Sequence, residues 1–308
     1  AIPGIEHIKY LTPKTLLQTT RPPKSLFIIG SGSTAVEIAQ LMATFGTKVY
    51  ISEVADRILP EEDDEVGEVI GRILKEQKGV TALTHTRILS VKKENIAKRV
   101  TFSRGDREQS VRVDEILVAT DRTPTVDLGL ENASVKYSAK GIEVNEQLQT
   151  TARHIYAAGD VLGRHSHTHS ALMESRIAIN NILHRSKATP DYTATPRVTF
   201  THPGVASVGL TEYDCIKRDL GIKKAIAPLN IIARSNTSDF RDGFVKIITN
   251  HHGIILGATI VAPEAAEMIH ELALAVKYRM TASDVANTPH AFLSWSEAIR
   301  VAAAKLTR

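Results

Sequence analysis

A glycine-rich turn between a strand and a helix is the feature that most restricts how this chain can fold. The apolar run Ser25-Leu-Phe-Ile-Ile-Gly30 predicts a short buried strand, and apolar residues at helical spacing from Ala35 to Met42 predict a helix that stops at Gly46. Between them lie Gly30, Ser31, Gly32, Ser33, Thr34 and Ala35. The two glycines permit a tight turn and small Ala35 permits close packing of helix on strand, so the segment predicts a parallel α/β sheet.

An acidic residue after the next strand indicates what this turn can bind. Lys48-Val-Tyr-Ile-Ser52 is typical of a strand, and Glu53 follows it, twenty-three residues after the first glycine. In a dinucleotide-binding unit the helix N-terminus faces the diphosphate, and such a carboxylate accepts hydrogen bonds from ribose hydroxyls. A carboxylate there repels a 2′-phosphate, so the pattern favours NAD(H) over NADP(H). The alternative is a glycine turn in an unliganded α/β domain, with Glu53 in solvent.

The remaining sequence changes pattern twice. Residues from about Thr81 to Val118 alternate as in short antiparallel strands, with a turn at Arg104-Gly-Asp106. A strand around His154 to Ala158 and a helix from about His169 to Leu183 follow. Pro190 and Pro196 then mark a linker, and the strand-like and helical segments beyond it predict an α+β unit.

Composition and cysteine content exclude several classes of protein. The 308 residues carry a net charge of +4 from scattered Lys and Arg, with 5% aromatic residues, so we expect no nucleic-acid partner. Cys215 is the only cysteine, which excludes an internal disulfide or a CxxC pair. No apolar run approaches the roughly 18 residues of a membrane span, so we expect no membrane partner and a cytoplasmic location.

The histidine run Arg164-His-Ser-His-Thr-His169 is a candidate metal-binding site, because three imidazoles at alternate positions can bind zinc or nickel. No carboxylate or thiolate lies close to them in sequence. We therefore expect no metal site.

Several motifs recur in the order found in one known family. With Gly30 to Glu37 they are Glu53-Val-Ala-Asp-Arg-Ile-Leu-Pro60, Asp114-Glu-Ile-Leu-Val-Ala-Thr-Asp-Arg-Thr-Pro124, Thr151-Ala-Arg-His-Ile-Tyr-Ala-Ala-Gly-Asp160 and Thr199-Phe-Thr-His-Pro-Gly-Val-Ala-Ser-Val-Gly209. Together they resemble the FAD-dependent pyridine nucleotide-disulfide oxidoreductases, which include dihydrolipoamide dehydrogenase, glutathione reductase and mercuric reductase. The resemblance covers essentially the whole chain.

The resemblance implies three domains. They are a Rossmann-like NAD(H)-binding domain at residues 1–125, the C-terminal half of a split FAD-binding domain at 126–190, and an α+β dimerisation (interface) domain at 191–308. In the family, a first FAD half-domain with its own GxGxxG and a redox-active CxxxxC precedes the segment that begins here. The chain therefore resembles the C-terminal two-thirds of such an enzyme.

The activity that the resemblance implies is hydride transfer from NADH to FAD, in a homodimer, toward a small-molecule electron acceptor. We expect this activity of the full-length protein and expect the present chain alone to be inactive. The alternative hypothesis is a non-catalytic nucleotide-binding and dimerisation module left by truncation.

The resemblance also implies roles for single residues. Glu37 and Glu53 would orient NADH, Asp160 would bind the FAD ribityl chain, and the helix beginning near His169 would point its N-terminus at the flavin. The full set of implied cofactor-binding residues is Gly30, Ser31, Gly32, Ser33, Thr34, Ala35, Glu37, Glu53, Asp121, Arg122, Gly159, Asp160, Thr168, His169 and Ala171. Asp121 departs from the family, which has glycine there.

The C-terminal segment departs further. Disulfide-reducing members carry a His-Pro pair whose histidine is a base oriented by a later glutamate. Glu297 matches that glutamate, but Phe292 and Leu293 replace the His-Pro pair. A phenyl ring cannot accept and release a proton, so His290, two residues earlier, is the candidate base.

Overall fold

The computed structural model describes residues 2–120, 123–184 and 187–307. The chain divides into two compact units, one of Ala1–Thr120 with Val198–Arg308 and the other of Asp121–Arg197. Among the described residues, none of the helices has both the length and the apolar character needed to cross a bilayer.

The N-terminal part of the first unit is a parallel sheet flanked by helices. Its elements are α1 (Pro13–Leu16), β1 (Ser25–Ile29), α2 (Ser33–Thr44), β2 (Lys48–Ser52), α3 (Asp64–Glu76), β3 (Val80–Leu83), β4 (Thr86–Glu94), β5 (Ala97–Arg104), β6 (Arg107–Val113) and β7 (Glu115–Val118). The sheet order is β3-β2-β1-β7, with every neighbouring pair parallel. Leu26 to Ile29 are buried without interruption, as a parallel strand covered on both faces requires. The predicted α/β class is confirmed.

Strands β4, β5 and β6 form the predicted antiparallel appendage, with its turn between Arg104 and Arg107. The predicted extent of the appendage was too long, because β3 and β7 at its two ends belong to the parallel sheet. Ile116 and Leu117 are fully buried opposite Phe27 and Ile28 of β1, and this burial favours pairing with the central strand. The ring of Phe27 also packs against Phe102 of β5, 5.9 Å between centroids.

The second unit contains β8 (Tyr137–Ser138), β9 (Gly141–Ile142) and α4 (Thr168–His184). The predicted helix from about His169 is confirmed, whereas the predicted strand at 154–158 is wrong. That segment makes only an isolated bridge between Gln149 and Tyr156. Its backbone bonds are local, since the Ile155 N–H donates to Ala152 and the Ala157 N–H to Leu148. A small apolar core lies around these turns, formed by Val135, Ile142, Leu148, Ala157, Leu162 and Ala178.

The C-terminal part of the first unit is an antiparallel sheet covered by helices, as the predicted α+β unit requires. Its elements are β10 (Arg197–Thr199), β11 (Gly204–Gly209), α5 (Glu212–Lys217), β12 (Ile222–Pro228), α6 (Ala233–Thr237), β13 (Phe244–Asn250), β14 (Ile255–Ala262), α7 (Ala265–Lys277), α8 (Ala282–Asn287) and α9 (Glu297–Lys305). The sheet order is β10-β11-β14-β13-β12. Val205, Phe244 and Val261 share one apolar core with the parallel sheet.

A buried ion cluster also joins the antiparallel sheet of the first unit to the start of α3. The ammonium of Lys246 on β13 is fully buried and lies 3.1 Å from Asp63, 2.7 Å from Glu65 and 2.8 Å from Glu212. Burial alone would lower the pKa of Lys246, but its hydrogen bonds to these carboxylates outweigh burial and raise it. Lys246 is therefore held as a cation between the start of α3 and the start of α5.

Candidate functional site

The first glycine of the turn has a conformation that only glycine adopts easily. Gly30 has a φ of 105°, and a Cβ on it would lie 2.7 Å from the carbonyl oxygen of Ala119. Its N–H donates to Ser52 at 3.0 Å, so the turn is fixed against the end of β2. This geometry brings the turn and β2 together at the carboxyl edge of the sheet.

Ser31 and Glu53 meet at that edge. The buried Ser31 hydroxyl donates to Glu53 Oε2 at 2.6 Å, and the Ala55 N–H donates to Glu53 Oε1 at 2.9 Å. An ionised carboxylate has about four acceptor positions, so two remain for further donors such as ribose hydroxyls. The half-buried Glu53 is thus held beside the glycine turn instead of extending freely into solvent.

The N-terminus of α2 lies open in front of this turn. Gly32 is its N-cap residue, and among the described residues no side chain caps the helix. A Cβ on Gly32 would meet no atom of a described residue within 4 Å, so none of these residues fills the space before the first helical turn. Ser33 is exposed and Thr34 half-buried, whereas Ala35 is fully buried under the helix. Uncapped amides and the helix dipole suit a diphosphate, so the residues present fit NAD(H).

Glu37 and Gln40 bind the backbone of a distant segment. Glu37 Oε1 accepts the Phe200 N–H at 2.7 Å. Gln40 brackets His202, accepting its N–H at 2.6 Å and donating to its carbonyl at 3.0 Å. Burial raises the pKa of Glu37, and the Phe200 amide opposes this shift. The sequence analysis missed Gln40, although its i, i+3 spacing from Glu37 places both on one helix face.

Asp121 and Arg122, expected near the nucleotide, lie outside the described residues. Their predicted roles therefore stay predictions.

The expected flavin residues gather around the start of α4 in the second unit. Gly159 has a φ of 82°, and a Cβ there would lie 3.2 Å from the Ala171 side chain, so this turn passes close to the first helical turn. Asp160 and Thr168 are exposed. Ser170 Oγ is buried and has no hydrogen-bond partner among the described residues. A helix start with an exposed carboxylate beside it and, among the described residues, an unpartnered buried hydroxyl fits a polar cofactor such as FAD.

The three histidines around the start of α4 do not converge. His165 stacks on Tyr192 at 4.1 Å, and His167 stacks on His169 at 5.1 Å with the rings 7° from parallel. His169 Nε2 also lies 2.8 Å from the carbonyl oxygen of Pro196. Burial, and next the neighbouring cationic groups, lower the pKa of His165 and of His167. Within the described ranges, no group of three or more His, Cys, Asp or Glu is arranged to hold a metal ion.

His290 is tied at both ring nitrogens. Its side chain is 5% exposed, with Nδ1 2.8 Å from the carbonyl oxygen of Thr288 and Nε2 2.8 Å from Glu271 Oε1. A carbonyl oxygen only accepts, so Nδ1 donates. The carboxylate that His290 contacts is Glu271 and not Glu297. Sequence spacing did not single out Glu271, which lies nineteen residues away on α7.

The residue at the family's base position faces solvent. Phe292 is 75% exposed, and Leu293 beside it has a left-handed φ of 63°. Glu297 Oε2 is buried without a hydrogen-bond partner among the described residues.

Cys215, the single cysteine, is fully buried, and burial followed by the charges of Asp214 and Asp63 raises the pKa of its thiol.

Comparison with known proteins places these features in context. A family model described as pyridine nucleotide-disulphide oxidoreductase matches residues 1–175, and the dimerisation domain of that family matches residues 195–303. A mercuric reductase of Staphylococcus aureus is 33% identical over 305 residues, which are 98% of this chain and 56% of that protein. A dihydrolipoyl dehydrogenase of Geobacillus stearothermophilus is 35% identical over 272 residues, which are 87% of this chain and 57% of that protein.

Two solved structures also superpose on this chain. LpdA from Mycobacterium tuberculosis superposes with a TM-score of 0.86 at 30% identity, covering 96% of this chain and 64% of its own. The HOCl-induced flavoprotein disulfide reductase RclA from Escherichia coli superposes with a TM-score of 0.88 at 28% identity, covering 98% of this chain and 70% of its own. The chain spans between 56% and 70% of the length of these four proteins.

Proposed function

Because the chain belongs to the pyridine nucleotide-disulphide oxidoreductase family, we propose that it is the nucleotide-binding and dimer-forming portion of an NADH-dependent flavoprotein oxidoreductase. The observation that carries this proposal is the 2.6 Å hydrogen bond from Ser31 to Glu53, in front of the uncapped start of α2. This hydrogen bond joins a diphosphate-binding helix end to a ribose-binding carboxylate.

In this proposal each group of the site has one task. Gly30, Gly32 and the first amides of α2 hold the diphosphate, and Glu53 accepts the adenosine ribose hydroxyls. Glu37 orients the nicotinamide end from its position against Phe200. Asp160, His169 and the other residues at the start of α4 hold FAD. When bound, the two cofactors would supply hydride transfer, and a small-molecule acceptor would receive the electrons.

Nucleotide preference tests the proposal most directly. The wild-type chain and its Glu53→Gln variant, which is isosteric and uncharged, are titrated calorimetrically with NADH and NADPH. We expect wild type to bind NADH more tightly than NADPH. In the variant this ratio of affinities should fall about tenfold, which corresponds to the free energy of one hydrogen bond to a charged group. Equal affinity of wild type for the two nucleotides, or binding of neither, contradicts the proposal.

Homodimer formation is the second part of the proposal. The matched dimerisation domain supports it, and so do the exposed apolar side chains Leu274, Tyr278 and Phe292 of the same domain. Size-exclusion chromatography with light scattering at micromolar concentration should give a dimer. A monomer would refute this part.

The base role of His290 stays a proposal. Glu297 matches the glutamate that orients the base in the family. The geometry adds a condition, because Nδ1 already carries the hydrogen that it donates to Thr288. Only Nε2 can therefore accept a proton, and only after its contact with Glu271 opens.

A second candidate function is a nucleotide-binding and dimerisation module without catalysis. The exposed phenyl ring of Phe292 at the base position favours it, and so does the buried Glu297 oxygen that has no hydrogen-bond partner in the described part of the chain. Anaerobic visible spectra of the purified chain before and after NADH distinguish the two functions. A flavin band that NADH bleaches supports the enzyme, and a bound flavin that NADH leaves unreduced supports the module. The cytoplasmic location and the absence of nucleic-acid and membrane partners stay predictions.

A further inference from the structure

Glu174 is a buried carboxylate with no role among the groups described so far. It lies on the second turn of α4 and is fully buried. Glu174 Oε2 accepts the Gly159 N–H at 2.6 Å, and Oε1 accepts the Tyr192 hydroxyl at 2.5 Å. Both carboxylate oxygens are therefore engaged by donors from different segments. Hydrogen bonds to an ionised acceptor are short and about twice as strong as neutral ones, so this contact fixes its partners firmly.

The Gly159 end of this contact controls a backbone conformation. Gly159 has a φ of 82° and a ψ of −155°, a region that only glycine occupies readily. The Glu174 carboxylate binds the amide of this residue, and Asp160 follows directly. The carbonyl of Gly159 then accepts the Leu162 N–H at 2.9 Å, which begins the helical turn at Asp160. The direction in which Asp160 leaves the turn therefore depends on Glu174.

The Tyr192 end connects the same carboxylate to the segment after the helix. Burial, followed by the hydrogen bond to Glu174, raises the pKa of Tyr192 to about 12, so its hydroxyl keeps the hydrogen it donates. One ring face of Tyr192 stacks on His165, and the guanidinium of Arg164 lies 5.8 Å from the ring centroid. The half-buried tyrosine is thus held at its hydroxyl by Glu174 and at its ring by His165 and Arg164.

We propose that Glu174 and Tyr192 are positioning residues for the flavin site, with Glu174 setting the Gly159–Asp160 turn and Tyr192 holding Glu174 against it. This inference rests on the proposed function, in which Asp160 and the start of α4 hold FAD. It adds that the segment after α4 controls the geometry of that site through a single hydroxyl.

Two variants and a matched control test the proposal on the whole chain. Tyr192→Phe removes one hydrogen bond and keeps the ring, and Glu174→Gln keeps the shape and removes the charge. The control is Tyr137→Phe, because Tyr137 makes a surface hydrogen bond to Glu131 at 3.4 Å in the same unit. The first readout is the amide NMR resonances of Gly159 and Asp160 without cofactor, and the second is the FAD dissociation constant from flavin fluorescence.

We expect both site variants to shift the Gly159 and Asp160 resonances and to weaken FAD binding about tenfold, the worth of one hydrogen bond to a charged group. The control should change neither. Unmoved resonances in Tyr192→Phe, or moved resonances with unchanged FAD affinity, overturn the positioning role alone. If wild type binds no FAD at all, the flavin assignment of the proposed function fails, and this inference fails with it.

Discussion

Replacing Lys246 by methionine should destabilise the fold more than any surface charge change. The side chain of Lys246 is 0% exposed and faces Asp63, Glu65 and Glu212, so Lys246→Met leaves three carboxylates without their common cation. Removing one partner of a buried ion pair costs about 3–5 kcal/mol. Glu65 and Glu212 are 25% and 27% exposed and can turn toward water, whereas Asp63 at 2% cannot. We therefore expect a loss near the lower end, about 3 kcal/mol in the free energy of unfolding.

Urea denaturation followed by the fluorescence of Trp295, the single and buried tryptophan, measures this loss. Lys224→Met is the matched control, because Lys224 pairs with the same Glu212 at 2.6 Å but is 45% exposed. A surface ion pair contributes at most about 1 kcal/mol. If the two variants lose the same stability, burial of Lys246 is not the cause and the reasoning is refuted.

The pH dependence of this loss has a definite sign. Burial raises the pKa of Glu212, but hydrogen bonds from Lys224 and Lys246 outweigh it, so its pKa in the folded chain lies below 4.5. A lowered pKa contributes stability that is present above the unfolded value and is lost as pH falls through the folded value. The difference between wild type and Lys246→Met should be complete at neutral pH and shrink below pH 4.5. A difference that stays constant into acid would contradict the charge argument.

Three further predictions concern the candidate site. Gly30→Ala should weaken NADH binding at least about tenfold in calorimetry, because a Cβ at a φ of 105° collides with backbone; unchanged binding would be evidence against the site. Glu271→Gln should move the Nε2 resonance of His290 in ¹⁵N NMR spectra, whereas Glu297→Gln should leave it in place. Phe292→Ala should weaken the proposed dimer about tenfold or more on dilution, since burying a phenyl ring contributes about 1.5–3 kcal/mol.

The local structure around the candidate site that the sequence predicts correctly is the part that short-range geometry determines. β2 spans Lys48–Ser52 as predicted, and the glycine turn brings Ser31 to Glu53 because strand, turn and helix follow one another within thirty residues. The Glu37 contact could not be predicted in this way, since Phe200 lies 163 residues away. Spacing rules describe one element at a time, whereas this contact depends on how α2 packs against a distant segment.

Apolar runs were the less reliable indicator, for a physical reason. Residues 154–158 are mostly apolar and strand-like in sequence. The Ile155 N–H nevertheless donates to nearby Ala152, and the Ala157 N–H donates to Leu148 at a single isolated bridge. Glu115–Val118 has the same character and becomes a strand, because Phe27 and Ile28 offer it a parallel partner. A short apolar segment becomes a strand only when a neighbouring strand satisfies its backbone groups.

Hydrogen-bond partners and burial also determine what chemistry the reactive groups of the C-terminal segment can perform. A general base needs a free lone pair, and both nitrogens of His290 are engaged, by Thr288 and Glu271. A thiol nucleophile needs access and a low pKa, and Cys215 is fully buried with its pKa raised. In contrast, the glycine turn leaves helix amides uncapped and the Glu53 carboxylate with acceptor positions to spare. This arrangement favours the proposed binding and orientation of nucleotides, whereas the proposed proton transfer through His290 requires this segment to rearrange first.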